Sequence, residues 1–599
     1  MNQDNSFIQT RAMKNFLAAS ILTGVAMQIS ALTDGVIVSQ ALTKDALSAI
    51  TIYTPIAALL GGIITMLSGG ASMLAAKKLG EQDYKSVGSI FSVTLTSSVA
   101  VSALLVICLY FFLPDLTALL CNDDTLRSYL LDYSRTAIFS VVLIAATLTV
   151  NGFIGIDGWP KRVSRSMIIT CISNILLDIL LIAGLGMGIE GSAIATVLST
   201  LLGLLVNVPH LCKPERSFHY NLDTRDIIPV IRNNLRVGVP MSAGNMVLAL
   251  CFLFLNHTVL RQLGTEGAYV LSILLQMIML SMMATSGFFH IFYSIGGVLL
   301  GEGDYVALKQ VVNKSLKWVA CALVVATALF NIFPEAIVRI FGSKEGMLIK
   351  ESAGAVRVAL NMVLPFQLSL LLTGVYMLVG RVELNLFFNI TCVVALVAGI
   401  TLSAHLVPDF TWHAVALSSW LLFFIQLGIT FFISRKNRSV RPFTLLPRIP
   451  DLVATKIQVR YTEESAAGAL NQINSFIGIC ETDASLANRI SLCCEELLFN
   501  IINFGRTKGM GRKIGNPAVF ELRLRELEDS IVISVKDAGV PFNPVVKIEK
   551  TAEEALRSGE DMHLGLLMVN GLCKDIKYKF MYGLNVTVMS FPKRLDRQQ

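Results

Sequence analysis

Charge is scarce in this chain. Asp, Glu, Lys and Arg make up 15% of its 599 residues, against about 25% in an ordinary soluble protein. With hydrophobic residues at 54% and a mean hydropathy of +0.65, that shortage excludes a disordered or collagen-like chain. The 11 cysteines contain no Cys-x-x-Cys and no Cys/His ligand spacing, so neither a disulfide scaffold nor a zinc module is expected, and reduced core thiols are. No Gly-x-x-x-x-Gly-Lys-Ser/Thr loop occurs, which excludes a P-loop engine. A net charge of +7 is too small an excess to argue for nucleic acid. Arg11 and Lys14 precede an apolar run that is too long for a signal-peptide core and has no small-residue cleavage site.

The missing charge is not evenly missing. Residues 1–440 are about 12% charged and residues 441–599 about 25%, the soluble average. A membrane part is therefore joined to a soluble domain. At about 20 apolar residues per crossing, twelve spans are expected, near 16–40, 47–74, 88–113, 129–154, 165–185, 191–212, 238–262, 268–298, 315–338, 354–379, 384–405 and 412–433. One alternate set of loops carries sixteen Lys and Arg, among them Lys77, Lys78, Lys161, Arg162 and Lys213, and the other carries six. The positive-inside rule then places the N-terminus, and with an even span count the tail, in the cytoplasm.

The body contains a repeat. Leu79-Gly80-Glu81-Gln82-Asp83-Tyr84 returns 221 residues later as Leu300-Gly301-Glu302-Gly303-Asp304-Tyr305. Two six-span halves of like orientation are a transporter architecture with the substrate between the lobes. Ionisable groups inside spans are costly and point to function. Asp34 lies in span 1, Asn174 and Asp178 share one face of span 5 at i, i+4, and Thr196 lies in span 6. Carboxylate, amide and hydroxyl oxygens suit a small cation, and the carboxylates can take a proton. The alternative is that Asn174 and Asp178 pair with neighbouring helices. His290 and Tyr293 with nearby methionines in span 8 line a cavity or belong to the core.

These residues resemble the MATE (multidrug and toxic compound extrusion) family. The resemblance rests on Asn174-Ile-Leu-Leu-Asp178, Gly186-Met-Gly188-Ile-Glu-Gly191-Ser-Ala-Ile-Ala-Thr196, Thr33-Asp34, Gly238-Val-Pro240 and the twin Leu-Gly-Glu loops, and covers roughly residues 10–435. It implies a twelve-helix, two-lobed exporter of organic cations, coupled to Na⁺ or H⁺ through Asp34, Asn174, Asp178 and Thr196. Some members also use acids in spans 7 and 10. Here those spans hold Asn256, His257 and Asn361 instead, which speaks against a second-lobe ion site.

Residues 435–450 read as a basic juxtamembrane linker. Beyond it the periodicity changes to strands at 455–461, 519–527, 530–536, 576–580 and 585–591, with helices at 463–478, 484–504 and 563–573. Such a tail is α+β. Glu496 and Asn500 share a helix face, where a carboxylate can orient a hydroxyl and an amide oxygen can hold Mg²⁺. Asp537-Ala-Gly539 follows a strand, and Gly565 opens a helix.

Together with Gly583-Leu-Asn585-Val-Thr587, these motifs resemble the GHKL ATPases (gyrase, histidine kinases), in particular the anti-sigma-factor serine-kinase-like branch. The resemblance spans about 455–592 and implies a Bergerat-type fold. It assigns Asp537 to adenine with Thr587 assisting, Asn500 to Mg²⁺ and Glu496 to the general base, while Gly539 permits close approach of a ligand and the helix N-terminus at Gly565 suits phosphate. Phe504 stands where a His is usual, and His563 replaces the first Gly of the usual Gly-x-Gly in the lid.

The expected layout is an N-terminal lobe at 1–220, a second lobe at 221–436, a linker at 437–452 and an ATP-binding domain at 453–599. The expected function is a cation-coupled organic-cation antiporter in the cell membrane, regulated by ATP. One alternative is a membrane sensor whose tail phosphorylates a Ser or Thr of a partner protein. Another is a lipid-precursor flippase, disfavoured because Lys and Arg are scarce in the middle of the spans.

Overall fold

The computed structural model describes residues 13–593 except 15–16, 20, 25, 27–29, 31–32, 34–36, 39–43, 82, 121–123, 214–215, 341–345, 449–453, 481, 508–518, 527–529, 538–567, 570, 574 and 582–583. It divides into two compact units that meet in sequence at 448/449.

The first unit is helical, as lipid demands, because a helix satisfies its own backbone. Its first half comprises α1 (Lys44–Gly80), α2 (Tyr84–Leu120), α3 (Asp124–Ala137), α4 (Ser140–Ile156), α5 (Pro160–Asp178), α6 (Gly188–Leu205) and the short α7 (Val208–Leu211). The second half comprises α8 (Ile227–Ile291), α9 (Gly297–Gly301), α10 (Tyr305–Ile332), α11 (Pro334–Ile340), α12 (Gly346–Leu360), α13 (Val363–Leu378), α14 (Val382–Leu406) and α15 (Thr411–Lys436). Among the described residues, nine helices are long and apolar enough to cross a membrane, or ten if α3 and α4, bent by 43° at their junction, form one span. The expected span 16–40 is described only in part, and the expected spans 238–262 and 268–298 are not separated by a loop: the backbone runs from one into the other as the single helix α8, whose side chains are described only in part.

The sequence repeat has a geometric counterpart. A Cβ on Gly80 would strike the Val298 carbonyl oxygen, and a Cβ on Gly301 would strike that of Lys77. Gly80 and Gly301 stand 221 residues apart, as do Lys77 and Val298. The ends of α1 and α9 therefore cross in backbone contact, each glycine admitting the other helix. In the first half, buried Asp157 at the end of α4 accepts from the Ser217 amide at 3.0 Å and meets His210 Nε2 at 2.9 Å. That contact fastens the loop leaving α7.

The segment expected as a linker is partly folded onto the body. Val440 bridges to Pro447, Ser434 Oγ donates to the Val440 carbonyl at 3.0 Å, and Leu445 is buried with Val440 and Tyr376. Phe443 and Leu445 hold positive φ of 63° and 54°, unusual for residues with side chains.

The second unit is a five-stranded antiparallel sheet with helices on one face. Its elements are β1 (Ala454–Arg460), α16 (Glu463–Ile479), α17 (Ala484–Thr507), β2 (Val519–Glu526), β3 (Ser530–Asp537), β4 (Asp575–Met581) and β5 (Leu584–Pro592), in sheet order β1-β2-β3-β5-β4. Strand alternation sorts the faces. Phe520, Leu522, Leu524, Ile531, Ile533 and Val535 join Ile473, Phe476, Ile490 and Leu497 of the helices in one core. Lys456 and Glu521, paired at 2.8 Å, lie on the other face. Thr462 caps α16 by accepting from the Ser465 amide at 3.3 Å. The expected α+β tail is therefore present, with strand bounds and the first two helices close to those read from periodicity, while the expected helix 563–573 lies largely outside the described residues.

Candidate functional site

Two groups of residues carry the candidate chemistry. The first lies in the membrane body. Asn174 and Asp178 end α5 on one face and are 4% and 0% exposed. The first span runs alongside. Thr23 Oγ1 donates to Ser164 Oγ at 3.0 Å, and Ser30 Oγ donates to Asn174 Oδ1 at 2.7 Å. Immediately after Asp178 the helix widens into a π segment, Ile179–Gly184, a distortion that is frequent at functional sites. α6 packs on α5, and its half-buried Thr196 donates to the Ser192 carbonyl at 3.1 Å. Asp34 lies outside the described residues, so of the four expected side chains three are placed. Ser30 was not anticipated. A serine in an apolar run carries no signal until the helix beside it is known.

In the second half, the buried polar side chains of the described spans are amides and hydroxyls. Gln367 of α13 accepts from Thr285 Oγ1 at 3.1 Å and donates to Ser281 Oγ at 2.8 Å, while Gln426 of α15 meets Ser369. Both amides are fully buried. These hydroxyl and amide hydrogen bonds satisfy buried polar groups without charge.

The second group lies in the tail. Glu496 and Asn500 do share a face of α17. Asn500 Nδ2 donates to the Glu496 carbonyl at 2.8 Å and to Glu496 Oε1 at 2.7 Å. Because the amide nitrogen is turned to the carboxylate, Oδ1 points the other way. That orientation fits a hard cation. On the sheet, Asp537 ends β3 directly across from Asn585 of β5, and Thr587 is the next residue of β5 on the same helix-facing side. Asn585 Nδ2 donates to Asp537 Oδ1 at 2.9 Å, and the Tyr578 hydroxyl donates to Asn585 Oδ1 at 2.6 Å. Thr587 is buried opposite Val535 and Tyr578. Gly539 and Gly565, expected beside the ligand and at the phosphates, lie outside the described residues. The Tyr461 hydroxyl is buried with no hydrogen-bond partner among the described residues, and its ring lies 5.1 Å from that of Phe520. Burial, and then the Asp537 charge, push its phenol above the usual range.

Comparison with known proteins finds a family match within each unit. Residues 19–180 match the MatE family, and residues 459–591 match the histidine kinase-like ATPase domain. The chain is similar to the probable multidrug resistance protein YoeA of Bacillus subtilis, 24% identical over 259 residues, which cover 41% of this chain and 56% of that protein. It is also similar to the multidrug export protein MepA of Staphylococcus haemolyticus, 21% identical over 227 residues, covering 38% of this chain and 49% of that one. The chain thus spans about half the length of these curated relatives. Among solved structures, a MOP superfamily transporter from Pyrococcus furiosus superposes with a TM-score of 0.65 at 19% identity, over 72% of this chain and 99% of that one. An outward-facing multidrug resistance MATE transporter gives 0.64 at 19% identity, over 70% and 96%. These structural likenesses establish the fold of the body.

Proposed function

From a MatE domain and a histidine kinase-like ATPase domain joined on one chain, we propose a cation-coupled antiporter that exports small organic cations under the control of a cytoplasmic ATP-binding domain. Asn174 and Asp178, buried side by side within a membrane-spanning helix, carry this reading. A carboxylate held there is costly to keep charged, so Na⁺ or H⁺ must accompany it. Asp34 follows Ser30 by four residues, the spacing that separates Asn174 from Asp178, and Ser30 touches Asn174. Asp34, Asn174, Asp178 and Thr196 form the coupling site in this proposal. If ion and organic cation favour opposite access states, exchange follows from their coupling free energy.

In the tail, Asp537 would accept from the adenine amine with Thr587 assisting, and by the family resemblance Gly539 would allow the base close approach and Gly565 would serve the phosphates. Asn500 would hold Mg²⁺, and Glu496 would orient a water or a hydroxyl. Bound ATP supplies a transferable phosphoryl group. A sensor reading, in which the tail phosphorylates a partner protein, is favoured by one observation: the Glu496–Asn500 pair is intact and pre-joined.

The test is dye efflux from proteoliposomes under a Na⁺ or pH gradient, with and without ATP on the tail side. Gradient-dependent efflux lost in Asp178→Asn is expected. Efflux indifferent to both gradients would sink the antiporter. Transfer of phosphate to a co-encoded protein, abolished in Glu496→Gln while gradients drive no transport, would favour the sensor.

A further inference from the structure

This inference rests on reading the tail as a nucleotide-binding domain and concerns how its base is chosen. At the end of the sheet where Asp537 stands, three side chains from three strands form a directed chain. Tyr578 of β4 donates to Asn585 Oδ1 at 2.6 Å, and Asn585 of β5 donates to Asp537 Oδ1 of β3 at 2.9 Å. Asn585 is 3% exposed and lies opposite Asp537 in the β3–β5 ladder.

The polarity of this chain is determined. An amide has one donating and one accepting end. With the Tyr578 hydroxyl on Oδ1, the NH₂ group faces the carboxylate. Turning the amide over would set its carbonyl oxygen against a carboxylate oxygen, acceptor on acceptor, in a buried place where an unmet hydrogen bond is costly. Asp537 is thereby held in one rotamer and presented as an acceptor. A purine whose 6-position carries an amine can donate to such a group, and one with a 6-oxo group cannot. At the same sheet end the buried Tyr461 hydroxyl has no partner among the described residues, leaving a polar group for a ligand to meet.

We propose that Asn585 is a positioning residue for adenine recognition and that Tyr578, by fixing the Asn585 amide, helps set the preference for 6-amino over 6-oxo purine nucleotides. Neither residue touches the base in this proposal. Both act through Asp537.

The experiment uses the full chain in lipid nanodiscs and titrates ATP and ITP by calorimetry into wild type, Asn585→Leu and Tyr578→Phe. Wild type is expected to prefer ATP. Asn585→Leu is expected to lose roughly tenfold in ATP affinity, about one charge-assisted hydrogen bond, with ITP affinity little changed. Tyr578→Phe keeps the ring and is expected to lower the ATP-to-ITP ratio by a smaller factor, so the proposal stays testable if the leucine variant does not fold. A ratio unchanged in both variants, or equal losses for both nucleotides, would assign the chain a structural role and overturn the proposal. A wild type that binds neither nucleotide overturns the underlying reading instead, and does so before any variant is compared.

Discussion

A buried carboxylate and a buried thiol pose the same problem, since each is costly to ionise out of water, and the two are handled differently here. Asp178 sits within a span at 0% exposure. Replacing its ionisable carboxyl by an amide of the same shape, in Asp178→Asn, is expected to abolish ion-driven efflux and leave the body's melting temperature within a few degrees, as thermal unfolding would check. In the tail, Glu496→Gln keeps the hydrogen bond to Asn500 and is expected to retain ATP binding while losing about a hundredfold or more of hydrolysis or phosphoryl transfer, read by phosphate release. The tail cysteines stay protonated. Burial pushes the Cys493 thiol up to about 12 and Cys573 up to about 11, from an ordinary 9.0. The folded form thus holds these protons more tightly than the unfolded one. Their contribution to stability is complete below pH 9 and is lost as pH rises toward 11 and 12. A calorimetric scan of the tail transition should show its Tm falling above pH 9, and Cys493→Ala should flatten that decline.

At the scale of elements, the α1–α9 crossing depends on two atoms that are absent. A side chain on Gly80 or Gly301 would collide with backbone, which cannot give way as a flexible side chain can. Gly80→Val is expected to lower the body's Tm by several degrees and to slow efflux. Gly155→Ala, where a Cβ would meet nothing within 4 Å, should change neither. The turn after α15 shows the opposite economy. Two non-glycine residues with positive φ cost about 1–2 kcal/mol each, and the burial of Leu445 and Val440 offsets that strain. Thr462→Ala removes the α16 cap and should destabilise the tail by about 1 kcal/mol in a chemical melt. Most elements were legible in advance. Alternation marked β2 and β3 to within a residue, and the long apolar runs marked the spans. The fold-back of residues 440–447 was not legible, because a basic, proline-punctuated stretch reads as linker until the surface it meets is known.

At the scale of the whole molecule, charge density separates two solvents along one chain. ATP is expected to change the rate of efflux without replacing the ion gradient as its source, and transport assays at saturating and zero ATP would show it. By itself the sequence determined the division near residue 440, the run of spans, the 221-residue repeat and the face-sharing pairs Asn174–Asp178 and Glu496–Asn500. All of these follow from composition, period and local spacing, which a chain carries before it folds. Only the tertiary structure decided that Gly80 meets Gly301, that Ser30 bonds Asn174, and that Tyr578, Asn585 and Asp537 form one directed chain. Those partners lie 7 residues apart for Tyr578 and Asn585, 48 for Asn585 and Asp537, 144 for Ser30 and Asn174 and 221 for the two glycines. Packing brings them together, and the register of strands and the rotation of helices that set such contacts leave no periodic mark in the order of the amino acids.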